Sequence, residues 1–273
     1  MIRLLLRRPL TLIGTLIVTL FLVLALIGSL IAPYGYAELV GRPRQAPSAD
    51  HLFGTDQLGR DVFSRVLWGA REIIALPAVT TVLSVVFGTA LGLAIGYVGG
   101  WVDEVVSRAL DSLLAIPALA LALVMLGVFG ASSIGIIAVI TLLYTPIVTR
   151  VVRAATLSAR SAGYIEAARL RGESLTYILF REILPGVLPA LTVEAALRFS
   201  YAIFLTASLG FLGLGVQPPS PDWGRMINEA RGGFSQMPWA LWFPAGAIAL
   251  LVIGVNLLSD GLRRIFRYEG ELR

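Results

Sequence analysis

An all-α polytopic membrane protein with six transmembrane helices is the fold this sequence predicts, and three observations carry the prediction. The 273 residues are 57% apolar and only 14% charged, with a mean hydropathy of +0.82. A soluble domain carries roughly 25% charge, so the class is integral membrane. Uncharged runs recur at the length a bilayer demands, about 20 residues. These runs are continuous rather than alternating, which excludes a β-barrel.

The elements follow from the gaps between charges. Residues 1–9 form a basic N-terminus with Arg3, Arg7 and Arg8, and residues 10–32 the first span. That run is too long for a signal-peptide core, and Ala32-Pro33-Tyr34 is no small-x-small cleavage site, so it reads as a retained anchor. Residues 33–72 are a polar external segment, with a proline-containing loop over Gly41–Ser48. No charge occurs from Ile73 to Val102, which places the second span at 73–98. Another uncharged stretch from Ser112 to Thr149 is broken near Gly127 to Gly135. It reads as a hairpin of spans 112–129 and 134–157, with Arg150 and Arg153 snorkelling to the interface. Pro117 and Pro146 are expected to kink these two spans. A polar loop over 158–185 precedes the fifth span at 186–209. An external segment, 210–238, then leads to the sixth span at 239–259 and a tail over 260–273.

Arginine placement orients the chain. All 22 basic residues are Arg, and the segments assigned to the cytoplasm hold about twice as many as the external ones. Both termini and the 158–185 loop are therefore expected on the cytoplasmic side. The five Arg from 42 to 71 run against this count, balanced by Glu38, Asp50, Asp56, Asp61 and Glu72. The absence of Lys excludes a Walker A phosphate site and Schiff-base chemistry. Zero Cys excludes disulfides, thiolate nucleophiles and cysteine metal sites. A net charge of +5 is explained by cytoplasmic loops and does not call for nucleic acid. No cofactor or metal is expected in this chain; the single histidine, His51, reads as a loop residue.

The 158–185 loop holds the strongest pattern. Glu166-Ala167-Ala168 favours a short helix, Arg169 and Arg171 follow, Gly172 breaks the backbone, and Pro185 starts the next span. Helix, glycine turn, helix makes a knob that a partner's groove could hold. The same pattern alone also suits an ordinary loop between spans.

The flanking blocks narrow this. The spacing Glu-Ala-Ala, three residues, Gly, then Ile183-Leu184-Pro185 resembles the coupling loop of bacterial ABC-importer permeases. Phe53-Gly54-Thr55-Asp56-Gln57-Leu58-Gly59-Arg60-Asp61 is similar to a segment of the dipeptide/oligopeptide/nickel branch. So are Gly96 to Asp103, Phe211 to Pro219 and Asn256 to Arg263, in family order. The chain is thus identified as resembling the second, C-type, permease of that branch, with a permease core over 73–262. The resemblance implies a type I importer permease fold in a bacterial or archaeal inner membrane. It implies as partners a homologous second permease, two cytoplasmic ABC ATPases that carry the ATP and Mg, and an external solute-binding protein, all within a lipid bilayer. It also implies that the coupling loop docks on an ATPase. Where the wider superfamily has an apolar residue nine places past the Gly, this chain has Glu182, as relatives in the peptide branch allow.

Three further groups stand out. Glu194 and Arg198 sit at i and i+4 within the fifth span, upstream of Thr206, at whose position relatives often carry Glu. Intramembrane charges mark a pathway or a subunit contact, or else form a self-neutralised pair. Gly88, Gly92 and Gly96 recur every four residues, the small-xxx-small spacing of close helix packing. Gly54, Thr55, Asp56, Gly59, Arg60 and Asp61 read as a salt-bridged loop cap rather than a catalytic group. A membrane scaffold, a receptor subunit or an intramembrane enzyme are the competing classes. The last would need paired acids, a His cluster or a Ser with a base, and none of these is present.

Overall fold

The computed structural model describes the backbone of residues 9–270 and the side chains of residues 9–264. Its elements in order are α1 (Pro9–Ile31), α2 (Val62–Val98), α3 (Gly100–Leu114), α4 (Ala118–Phe129), α5 (Ser133–Arg160), α6 (Gly163–Leu170) and α7 (Leu175–Tyr177). A π-helical turn (Ile178–Ile183) then runs into α8 (Leu184–Phe211), followed by α9 (Trp223–Arg231) and α10 (Trp239–Gly270). Among the described residues no strand forms; a single bridge joins Thr55 and Asp61. Five helices are long and apolar enough to cross a membrane, and the bent pair α3 and α4 would make a sixth.

Two expected spans are corrected. The second was placed at 73–98, after an external segment to 72, yet α2 begins at Val62 and runs for 37 residues. Its first three turns carry Ser64, Arg65, Arg71 and Glu72, which hydropathy rejects. Asp61 starts them: its side chain accepts a hydrogen bond from the Ser64 N–H at 2.7 Å, a good N-cap. The third span, expected as one helix over 112–129, is broken. α3 ends at Leu114, and α4 leaves at 85° after Ala115-Ile116-Pro117. Pro117 cannot donate to the preceding turn and pushes Ile116 out of the helical region, so the chain turns there.

The remaining starts and stops have similar causes. Ser132 caps α5 by accepting from Gly135 N–H at 3.0 Å, and Pro185 sits in the first turn of α8. Glycine then sets how closely helices approach. Facing α5, an added Cβ at Gly88 would lie 2.6 Å from Val148 Cβ. At Gly92 it would lie 2.7 Å from the Thr149 carbonyl, and at Gly96 2.9 Å from Thr156 Cβ. The glycine stripe therefore packs inside this chain, against the helix with which α2 makes its most extensive contact. α1 is clasped in the same way: Gly14 sits against Leu257, and Gly254 of α10 against Ile17.

Three apolar clusters fill the fold. One joins α1, α2, α8, α9 and α10 around Phe21, Ile73, Ile203, Trp223 and Leu251. A second joins α4, α5 and α8 around Leu126, Ile140 and Leu209. The third ties α2, α5 and α8 to the loop helices through Ile165, Ala168, Ile178 and Ile183. That last cluster holds the candidate coupling segment onto the spans.

Candidate functional site

The loop between α5 and α8 folds as two faces. Ile165 and Ala168 on α6, with Ile178 and Ile183 of the π turn, are fully or nearly fully buried. Glu166, Ala167, Arg169, Arg171, Gly172 and Pro185 are exposed. Gly172 has φ +75°, a left-handed conformation at the end of α6 that glycine adopts without strain. Nothing lies within 4 Å of where its Cβ would be, so the requirement is conformational and not steric. Beyond it Ser174 caps α7 by accepting from Tyr177 N–H at 3.2 Å. Large apolar side chains point outward from this knob: Leu170 is 85% exposed, and Leu175 and Phe180 each 52%. Its ionic ties are loose, with Arg171 at 3.5 Å from both Glu173 and Glu182. One firmer tie reaches α2, where Arg169 Nε donates to Tyr97 Oη at 3.0 Å and the guanidinium lies over the Tyr97 ring.

Within α8, Glu194 and Arg198 do meet: Arg198 Nε lies 2.8 Å from Glu194 Oε1. The N–H does not point at that oxygen, and both atoms are buried without a hydrogen-bond partner. The contact is thus a close charge pair and not a formed hydrogen bond. Arg198 also lies over the rings of Tyr201 and Tyr144, 4.9 and 5.4 Å from their centroids. Thr206 is buried, its hydroxyl unpartnered, and it does not join the pair. A separate apolar groove of about 690 Å³, lined by Phe204, Phe211 and Val252 among others, contains no charged residue. It supplies shape without polar chemistry.

The Gly54–Asp61 motif folds into a polar core. Gly54 (φ +68°) and Gly59 (φ +87°) make the turns, and at Gly54 a Cβ would strike Trp239 Nε1 at 2.6 Å. Thr55 accepts from Gln45 N–H at 2.8 Å and donates to the Arg42 carbonyl at 2.6 Å. Asp56 Oδ1 accepts from the backbone N–H of Leu58 and of Arg60. Its other oxygen accepts from Arg60 Nε at 2.6 Å and an Arg65 guanidinium nitrogen at 2.7 Å. Both arginines also reach Glu229 Oε2 on α9, at 2.6 and 3.2 Å. Asp61 accepts from His51 Nδ1 at 3.0 Å as well as capping α2. His51 is thus part of the scaffold, and among the described residues no three or more His, Asp or Glu gather as metal ligands.

Sequence reading missed Arg65 and Glu229, which sit 164 residues apart and have no local pattern linking them. It also missed Asp222, the buried N-cap of α9, which accepts from Arg225 N–H at 2.8 Å. Ser220 Oγ bridges this loop to Glu72 of α2. Burial pushes the Asp222 carboxyl up to about 7, and the nearby Glu72 charge adds to this. The Arg225 and Gly224 backbone donors and the Arg225 charge only partly offset the rise.

Residues 88–267 match the family model described as binding-protein-dependent transport system inner membrane component. Residues 1–52 match the N-terminal TM domain of oligopeptide transport permease C. The dipeptide transport system permease protein DppC of Alkalihalophilus pseudofirmus is 39% identical over 258 residues, 94% of this chain and 85% of the relative. The glutathione transport system permease protein GsiD of Pectobacterium atrosepticum is 38% identical over 260 residues, 94% of this chain and 86% of the relative. A chain from the inward-facing MetNI methionine ABC transporter superposes with a TM-score of 0.60 at 23% identity. It covers 75% of this chain and 95% of its own length, a likeness of fold.

Proposed function

The chain belongs to the binding-protein-dependent inner membrane transport components and is a permease subunit of an ATP-driven importer, not an enzyme; from that premise we propose what it carries and how it is driven. The cargo is a peptide or a related small solute, as in the relatives named for dipeptides and glutathione. The path is shared with a homologous second permease. Two cytoplasmic ATPases supply the energy, and an external solute-binding protein delivers the cargo. Both termini and the α6–α7 knob face the cytoplasm, while the Gly54–Asp61 cap and α9 face outward.

One observation carries the coupling reading. The knob holds its inner face to the spans through Ile165, Ala168, Ile178 and Ile183, and turns Leu170, Leu175 and Phe180 outward. Such exposed apolar side chains on a small, ordered segment suit a partner's groove. Closing of the ATPases then pulls the knob, and because its inner face is packed on α2, α5 and α8, those helices re-angle as rigid bodies.

The chain has no Cys, so single cysteines report cleanly. Leu170→Cys and Leu175→Cys are expected to cross-link to cysteines placed in the ATPase groove, and Leu58→Cys is not. In intact cells a membrane-impermeant thiol reagent should reach position 58 and spare position 170. The reverse labelling would sink both the orientation and the docking assignment.

A further inference from the structure

The side chains of α3 sort into three strips. Val102, Val106, Leu110 and Leu113 are half-buried, and Asp103 on the same side is buried. The next strip, Trp101, Val105 and Ala109, is apolar and exposed, Trp101 at 75% and Val105 at 55%. Beyond it Glu104 and Arg108 are exposed and pair with each other at 2.7 Å. Every charge on the helix is matched, since Asp103 and Asp111 take Arg153 and Arg150 of α5. Those two ties also show how the helices cross. Asp103 and Asp111 are about 12 Å apart along α3, whereas Arg153 and Arg150 are only about 4.5 Å apart along α5. α3 thus advances across α5 faster than along it. α5 is one of the five helices able to span, and α4 leaves α3 at 85°.

At 85°, at most one of the two arms can run near the membrane normal. α4 has no polar side chain in its 12 residues and belongs in hydrocarbon. α3 carries Asp103, Glu104, Arg108 and Asp111 in 15 residues, and standing it upright would set the exposed Glu104–Arg108 pair against lipid chains, where charges are costly. We propose that α3 lies flat in the headgroup layer of the leaflet on the knob's side, with Trp101, Val105 and Ala109 let into the lipid and Glu104 and Arg108 among the headgroups. Tryptophan favours that depth, because its ring is apolar at one end and can be wet at the other. The apolar strip also continues the exposed apolar side of α2, where Val82, Val86 and Val98 lie open. Because the charges of α3 are matched within the chain, a zwitterionic layer suffices, without the anionic lipid that basic surface helices call on. The leaflet follows from the chain itself: α3 starts two residues after Val98, and Tyr97 beside it holds Arg169 of α6. The assignment holds whichever side the knob faces, so it does not rest on the coupling reading above.

The test uses the assembled transporter, its other subunits freed of cysteine, in vesicles of phosphatidylcholine alone. Nitroxide labels are placed one at a time through Trp101→Cys, Glu104→Cys, Val105→Cys, Arg108→Cys and Ala109→Cys, all exposed positions that leave the half-buried strip intact. Each label's accessibility to oxygen and to water-soluble chromium oxalate is then measured. A flat helix gives labels 101, 105 and 109 one shared shallow depth and a preference for oxygen, while labels 104 and 108 meet the chromium complex. The ratio of the two accessibilities therefore swings with the helical period. An upright helix instead deepens steadily, by about 12 Å from 101 to 109, and that trend would overturn the proposal. Labels 101, 105 and 109 as open to chromium oxalate as 104 and 108 would overturn it too, because the face would then be bathed in water. Immobile labels at 101 and 105, shielded from both reagents, would do the same by showing a protein partner on this face.

Discussion

The Gly54–Asp61 cap and the α6–α7 knob are built on opposite plans. In the cap, Asp56, Arg60, Arg65 and Glu229 bury their charges and pair with one another across three separate segments. In the knob, Arg171 reaches its two acids only at 3.5 Å, and Leu170 lies open. The cap pairs its charges within the chain, although Arg65 Nε and one terminal guanidinium nitrogen stay without a partner. The knob leaves its outer face open, as the proposed docking requires. Buried pairs are strongly destabilising to break, whereas exposed ones contribute about 0–1 kcal/mol, so the two ends should answer mutation in different currencies: stability outside, coupling inside.

The sharpest way to break that contrast is at Arg65. Arg65→Met leaves Asp56 and Glu229 short of a partner and is expected to cost about 3–5 kcal/mol, read as a drop in Tm of the purified complex. Glu182→Gln on the knob should cost less than about 1 kcal/mol. Equal losses at both sites would erase the distinction.

Glycines supply the next test. Gly92→Leu drives a side chain into Thr149 and Val152 and should cost about 1–3 kcal/mol. Gly163→Ala, with nothing within 4 Å of its Cβ at the start of α6, should be neutral or slightly stabilising. Unfolding midpoints of the two variants, measured side by side, decide it.

Asp222 adds a pH signature to the cap. A carboxyl raised to about 7 by burial binds its proton more tightly folded than unfolded, where the value is about 3.9. Its contribution is therefore whole below about pH 4 and is lost as pH rises toward 7. Asp222→Asn keeps a capping side chain and removes the titration. Across that window wild type should lose up to about 1.4 kcal/mol per pH unit relative to the variant. Parallel Tm-versus-pH curves would show that Asp222 is ionised throughout.

A modest stability change should carry the clearest functional one. Gly172→Val forces a β-branched residue toward φ +75°, a local penalty of about 1–2 kcal/mol that a loosely tied knob can relieve by moving. ATP hydrolysis by the complex should persist while uptake falls several-fold, and Gly172→Asn should retain more uptake, because Asn tolerates the left-handed region. Normal uptake by the valine variant would remove the knob from the coupling path.

The spans were legible where apolar runs and charge gaps coincide, as at Leu10 to Ala32 and Trp239 to Ser259. The glycine turn of the knob was legible too, since Gly172 follows a helix-forming run. Reading failed where polar residues are buried by distant ones. The opening turns of α2 look like loop because Arg65 and Glu72 are charged, and their partners, Glu229 and Ser220, come from the far end of the chain. It failed again at Ala115 to Pro117, where an apolar composition hides an 85° turn. Hydropathy measures what a segment prefers to touch, and neither direction nor remote pairing enters it.

At 37 residues, α2 is about 55 Å long, well beyond the roughly 30 Å of a bilayer's hydrocarbon. Its first turns grip Asp56 and Glu229 through Arg65; its last turn offers the Tyr97 hydroxyl to Arg169 and the Tyr97 carbonyl to Arg160. One continuous rod therefore has a handle at each end, and on the proposed orientation these lie on opposite sides of the membrane. A tilt imposed at either handle is felt at the other without any relay of loops, so on the proposed coupling the arrival of cargo and the closing of a motor would act as two torques on the same shaft.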